Sequence, residues 1–277
     1  MNWRNVFAIV QKDLLEVRQN KAAWIPMLII PLIFVLLLPL GIIYVPQIDP
    51  NAAQSMLNDP DIQVMLDHAP AMVLGLLDGL NPMQSMVMLM LGYILAPLFL
   101  IFPLAFSSVV AAESFAGERE RKTLEALLYT PASEAELFMG KVTTALIPSV
   151  GITWVSFLLY AVVLNVGGYS LFGHIWFPIP TWYPLIFWIA PALALLGISV
   201  TVLISARVQT FMGAYQLSAS LVVIVLAFLI GQLTGVLYFT VGVGLLVGAV
   251  FWVIAGVLCW IALRGFNRSQ LLLTSKE

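Results

Sequence analysis

The chain has 277 residues, 61% of them hydrophobic and 9% charged, and a mean hydropathy of +1.01. So little polar surface cannot coat a globule of this size, which excludes a soluble protein and points to an integral membrane one. The net charge of −2 conceals an uneven distribution, because the 12 Lys and Arg residues fall into four clusters separated by long apolar stretches.

Residues 1–22 predict an amphipathic helix lying in the inner headgroup layer. Trp3, Val6, Phe7, Val10, Leu14 and Val17 recur at helical spacing, with Arg4, Gln11, Lys12, Asp13 and Arg18 on the other face. The apolar run behind it exceeds signal-peptide length and lacks an A-x-A site, so a cleavable leader is not expected. About 20 apolar residues cross a bilayer core. That ruler predicts six spans, at 23–45, 84–112, 141–166, 183–205, 211–233 and 240–263.

Between the first two spans, the outer segment 46–82 is too polar to cross and too long for a turn. Asp49, Asp59, Asp61, Asp67 and Asp78 lie there without a basic residue, and Ile62–Leu66 and Met72–Leu80 predict short helices resting on the membrane. In the second outer loop, Trp176, Trp182 and Tyr183 form an expected aromatic belt. Basic residues near span ends stay cytoplasmic. The clusters Arg4–Lys21, Arg119–Lys141, Arg207 and Arg264–Lys276 then share one side, which puts both termini inside.

Prolines 26, 31, 39, 97, 103, 148 and 191 fall inside spans and predict kinks. Gly231-x-x-x-Gly235 and Gly244-x-x-x-Gly248 permit close helix approach, within this chain rather than between copies. Phe99, Phe102, Phe106, Trp154, Phe157 and Tyr160 are candidates to line a pathway, although lipid-facing packing is the commoner fate of such rings.

The densest run of charge, Glu113–Glu136, joins spans two and three. Thr123 can cap a short helix carrying a Leu124, Leu127 and Leu128 stripe. Pro131 stops that helix, and Ser133 with Glu136 matches the capping box that opens the next one, where Glu134 suits the dipole. A solvated connector needs no leucine stripe, so the stripe predicts a partner groove with polar rims.

The stretch Glu118–Lys141, E-R-E-R-K-T-L-E-A-L-L-Y-T-P-A-S-E-A-E-L-F-M-G-K, resembles the signature of the ABC type-2 exporter permeases. It departs from the family pattern at Lys122, where glycine is usual. The resemblance implies an all-α integral membrane protein with six transmembrane helices, an N-terminal interfacial connecting helix and a short cytoplasmic coupling helix. That coupling helix would be Thr123–Thr130, seated on a separate ATPase subunit. Contact would fall to Thr123, Leu124, Glu125, Leu127, Leu128, Thr130 and Pro131, with Glu118, Arg119, Glu120 and Arg121 as the polar rim. A second permease subunit, identical or different, and membrane lipids are the other expected partners; nucleic acid is not. The domain plan is one permease domain: 23–112 for the first two spans, 113–140 for the coupling segment, 141–263 for the other four, and a cytoplasmic tail at 264–277.

No enzymatic site is expected in this chain. Gly140-Lys141 is followed by Val142 and lacks the upstream glycine of a P-loop, so ATP and Mg²⁺ would belong to the partner. His68 and His174 have no ligand cluster, Ser199 has no nucleophile-elbow context, and the single cysteine, Cys259, has no partner for a disulfide. An ion-coupled carrier is the main alternative, and it would need ionisable groups near the midplane. None lies in the interior of a predicted span apart from Glu113 near an inner boundary. A transmitter of force to an extracytoplasmic partner is the other alternative.

Overall fold

The structure, a computed structural model, describes residues 2–19, 25, 29, 31–44, 51–121, 132–208 and 210–266. All regular structure among them is helical. We number the helices α1 (Trp3–Gln19), α2 (Ile33–Tyr44), α3 (Ala52–Leu57), α4 (Pro60–Asp67), α5 (Ala71–Leu74), α6 (Pro82–Glu120), α7 (Glu134–Gly167), α8 (Tyr169–Phe172), α9 (Trp182–Ser205), α10 (Phe211–Leu233) and α11 (Val241–Gly265). Five of these, α6, α7, α9, α10 and α11, are long and apolar enough to cross a bilayer. The predicted first span is represented by the shorter α2; Pro26 and most of the preceding stretch lie outside the described residues.

Burial separates a centre from a periphery. The most apolar windows of α6 and α9 are 78% and 72% buried, against 28%, 17% and 22% for α7, α10 and α11. Helix α9 packs along both α6 and α11, α7 packs on α6, and α1 lies along α7. The close approach of α9 to α6 needs Gly197, where a Cβ would stand 2.5 Å from the Ser107 hydroxyl. Gly244 faces Pro184 and Gly248 faces Trp188, so this pair of small residues packs α11 on α9 within the chain.

Prolines distort the spans without breaking them. Wide π-helical turns at Ile33–Leu37, Met88–Ile94 and Leu185–Ile189 stand just ahead of Pro39, Pro97 and Pro191. A proline ring clashes with the carbonyl one turn before it, and a widened turn moves that carbonyl aside. The freed carbonyls of α6 are recaptured by side chains, as an apolar interior demands. Tyr160 donates to the Leu91 carbonyl (2.9 Å), Trp182 to Gly92 (2.7 Å) and Gln232 to Tyr93 (3.2 Å).

The same contacts correct two expectations. Trp182 is fully buried and Trp176 nearly so, leaving Tyr183 as the half-exposed member of the expected belt. Phe99, Phe102, Phe106, Phe157 and Tyr160 are buried in one aromatic cluster around Trp182, with Phe99 and Phe102 centroids 4.7 Å apart. They fill the core of the chain and line no pathway through it. Trp154 alone of that group is exposed.

The outer segment packs on protein as well. Ile62, Met65 and Val73 are buried, and Tyr238, in the turn between α10 and α11, donates to the Met65 carbonyl (2.6 Å). Asp59 caps α4, and Asn81 with Gln84 forms the capping box that opens α6.

Candidate functional site

At the base of the bundle the charged signature meets every neighbouring element. α6 ends on Glu118-Arg119-Glu120, and each of these side chains turns to a different partner. The Glu118 carboxylate is fully buried and accepts from Lys141 of α7 (2.6 Å) and from Lys12 of α1 (2.8 Å). Arg119 donates to the Ser205 carbonyl at the end of α9 (2.7 Å). Glu120 accepts from the Phe211 amide at the start of α10 (2.8 Å), where a carboxylate also suits the helix dipole. Arg121 turns back to Glu113 on α6 itself (2.6 Å).

Lys141 is the centre of this network. It is 1% exposed, donates to both Glu118 and the Ser114 carbonyl at 2.6 Å, and stands 3.5 Å from Asp13. Asp13, also 1% exposed, completes a four-charge group with Lys12 at 3.3 Å. Burial raises the Asp13 carboxyl above the usual carboxylate range, against the lowering pull of Lys141. One oxygen of Asp13 and one of Glu113 have no hydrogen-bond partner among the described residues.

The residue before Lys141 explains how α1 reaches it. A Cβ on Gly140 would meet the Ile9 side chain at 2.8 Å, so glycine is needed where α1 crosses α7. Val6, Ile9, Val10 and Asp13 form the buried stripe of α1, while Trp3 and Phe7 stay 69% and 63% exposed. The sequence reading put Asp13 on the polar face of α1, but the helix faces protein on that side and Asp13 pairs inside. The side chains of Val17 and Arg18 are not among those described. Near the start of α7, Ser133 and Glu136 form the expected capping box, and Glu136 also accepts from Asn2 and Asn5, which ties down the start of α1.

Thr123, Leu124, Glu125, Leu127, Leu128, Thr130 and Pro131 lie outside the described residues. Of the four rim residues, Glu118 is buried in the bundle, where it meets two lysines, Lys12 and Lys141. Arg119 is half-buried, and Glu120 and Arg121 are exposed at the base. Lys141 and Asp13 were not singled out as site residues. The signal was present in the i, i+3/i+4 register that places Val6, Ile9, Val10 and Asp13 on one stripe.

A family model described as ABC-2 family transporter protein matches residues 7–251, nearly the whole chain. The chain belongs to the ABC-2 transporter family. It is a multi-pass, all-helical membrane protein and a permease subunit of an ABC transporter, a complex in which a separate ATPase is the partner. A search of curated proteins gave no match.

Proposed function

We propose that this ABC-2 permease subunit couples ATP hydrolysis on a separate ATPase subunit to export of an apolar or amphipathic substrate. The observation that carries this reading is the wiring of α6: its last three residues contact α1, α7, α9 and α10 through charge-assisted bonds. The chain leaving α6 runs into Thr123–Thr130, which we assign as the coupling helix in the ATPase groove. Any displacement of that segment pulls on four helices together, most tightly through the buried Glu118–Lys141 pair, because charge-assisted contacts are short and directional. ATP and Mg²⁺ are held by the ATPase, and two permease subunits enclose the pathway between them. Packing of the aromatic cluster inside the chain supports a pathway outside its core.

The basic residues set the orientation, with both termini and residues 118–141 on the cytoplasmic side of the inner (plasma) membrane. Among the described residues the charges of the apolar helices lie near their ends, which favours cargo such as lipids, lipid-linked glycans, antibiotics or hydrophobic peptides. The test is gentle detergent co-purification with an ATP hydrolysis assay, on wild type and on Leu124→Glu/Leu128→Glu. Wild type should bring down a P-loop ATPase, and the double variant should insert normally yet lose it. An equally associated double variant would refute the coupling-helix assignment.

A further inference from the structure

We propose that the cleft between the inner ends of α6, α9 and α11 binds the phosphate headgroup of an anionic membrane lipid. The cleft has a volume of about 70 Å³, and its walls include Phe115, Val202, Ala262 and Phe266. Two polar side chains line it, Arg119 and Ser205, and both offer donors. Arg119 is the one charge of the Glu118–Arg121 run with neither an ionic partner nor a capping role at an N-terminus among the described residues. One of its five N–H groups goes to the Ser205 carbonyl; a half-buried guanidinium with the rest unspent favours an anion. The Ser205 hydroxyl is buried and has no partner among the described residues.

Capping the end of α9 accounts for one Arg119 bond. It does not account for the orphaned hydroxyl or for the open space beside it. The Arg119 guanidinium, which can only donate, selects an anion, and aromatic and aliphatic walls select an amphiphile over a free ion. The depth is that of a headgroup, since three helix ends meet here. Arg264, stacked 3.7 Å over Trp260 on the last turn of α11, and exposed Arg207 add positive field at the rim. A lipid seated there touches α6, α9 and α11 at once, so bilayer charge would bias how these helices sit together.

The site rests on the inward orientation proposed above. Its test needs no ATPase, so failure of the site and failure of the coupling reading are separable. Purified protein in nanodiscs of mixed phosphatidylglycerol and phosphatidylcholine is released into native mass spectrometry, and retained lipids are counted. Wild type should retain phosphatidylglycerol preferentially, and Arg119→Gln should lower that retention about tenfold, the scale of one charge-assisted hydrogen bond. Arg264→Gln should change it less than about twofold, as expected of an exposed charge. Should Arg119→Gln fail to fold, Ser205→Ala, which removes one hydroxyl, should still lower retention severalfold. Equal retention of the two lipids by wild type, or a preference untouched by Ser205→Ala and Arg119→Gln, overturns the proposal. Displacement of the lipid by inorganic phosphate alone overturns the lipid in favour of a free-anion site.

Discussion

Replacing Lys141 by Met tests whether the buried charges at the base hold the bundle together. Methionine keeps the length and the apolar stem and removes only the ammonium. Lys141 contacts Glu118 at 2.6 Å and Asp13 at 3.5 Å, and those two carboxylates are 0% and 1% exposed. Without it, Lys12 is the counter-charge that remains among the described residues, and Lys12 is 41% exposed. Leaving a buried ion-pair partner uncompensated costs about 3–5 kcal/mol. For a chain of this size that is on the order of 10 °C in Tm.

Adding Glu118→Leu removes the stranded partner, and replacing both members of a buried pair by apolar groups is close to neutral. The double variant should therefore recover to within about 1 kcal/mol of wild type. Unfolding followed by tryptophan fluorescence in detergent, on monodisperse samples of the two single variants and the double, gives the coupling energy directly. A loss below about 1 kcal/mol in Lys141→Met, the range of an exposed pair, would refute the argument. Additive losses in the double would do so too, because the two groups would then act independently.

Asp13→Asn removes a carboxylate whose folded pKa is raised, so ionised Asp13 opposes folding. Relative to this variant, wild type should be as stable below pH 3.8 and lose ground as pH rises through the raised value, becoming flat above it; parallel unfolding curves across that window would contradict the shift. Gly140→Val places a side chain where the first carbon already stands 2.8 Å from Ile9, and should cost about 1–3 kcal/mol and loosen α1. Limited proteolysis near residue 19 reads that loosening, and Ile9→Ala should partly reverse it. Tyr160→Phe keeps the ring and strands the Leu91 carbonyl in an apolar core, at about 1–3 kcal/mol; an unchanged melting temperature would mean another donor had replaced it.

How much of this could be read in advance depended on the scale of the signal. Spans are carried by 20 or so residues each, so their number and type survive local error, and the Ser133–Glu136 capping box is a four-residue rule that depends on nothing distant. The pairing of Lys12, Asp13, Glu118 and Lys141 joins residues more than a hundred positions apart, and no local pattern encodes it. Amphipathicity gave α1 an apolar face but could not say that protein, rather than lipid, would cover the side holding Asp13. Trp176 and Trp182 were misplaced for a related reason: an aromatic near a span end looks the same whether it anchors at the headgroups or donates inward. For Trp182 what decided it was the widened turn of α6 ahead of Pro97, which leaves the Gly92 carbonyl in need of a donor, whereas Trp176 donates to the Leu164 carbonyl of α7.

Four buried charged residues in apolar helices, Glu113, Glu118, Glu136 and Lys141, reopen the question of an ion-coupled carrier. Depth answers it. At 1.5 Å per residue, the 39-residue α6 is about 58 Å long, roughly twice the 30 Å hydrocarbon core. A centred helix therefore overhangs by about 14 Å at each end. Glu113 lies seven residues from the inner end of α6, and Lys141 seven from that of α7, about 10 Å in each case. These charges sit near one end of their helices, where Glu118 and Lys141 pair across elements of the base and Glu113 pairs with Arg121 just beyond α6. An ion-coupled cycle places its exchangeable site near the midplane and needs it unpaired in part of the cycle. Glu118 and Lys141 do the opposite: with Lys12 and Asp13 they bind α1, α6 and α7 into one unit at the base of the bundle. Substrate movement driven by a proton or sodium gradient in vesicles lacking ATPase would overturn this ordering.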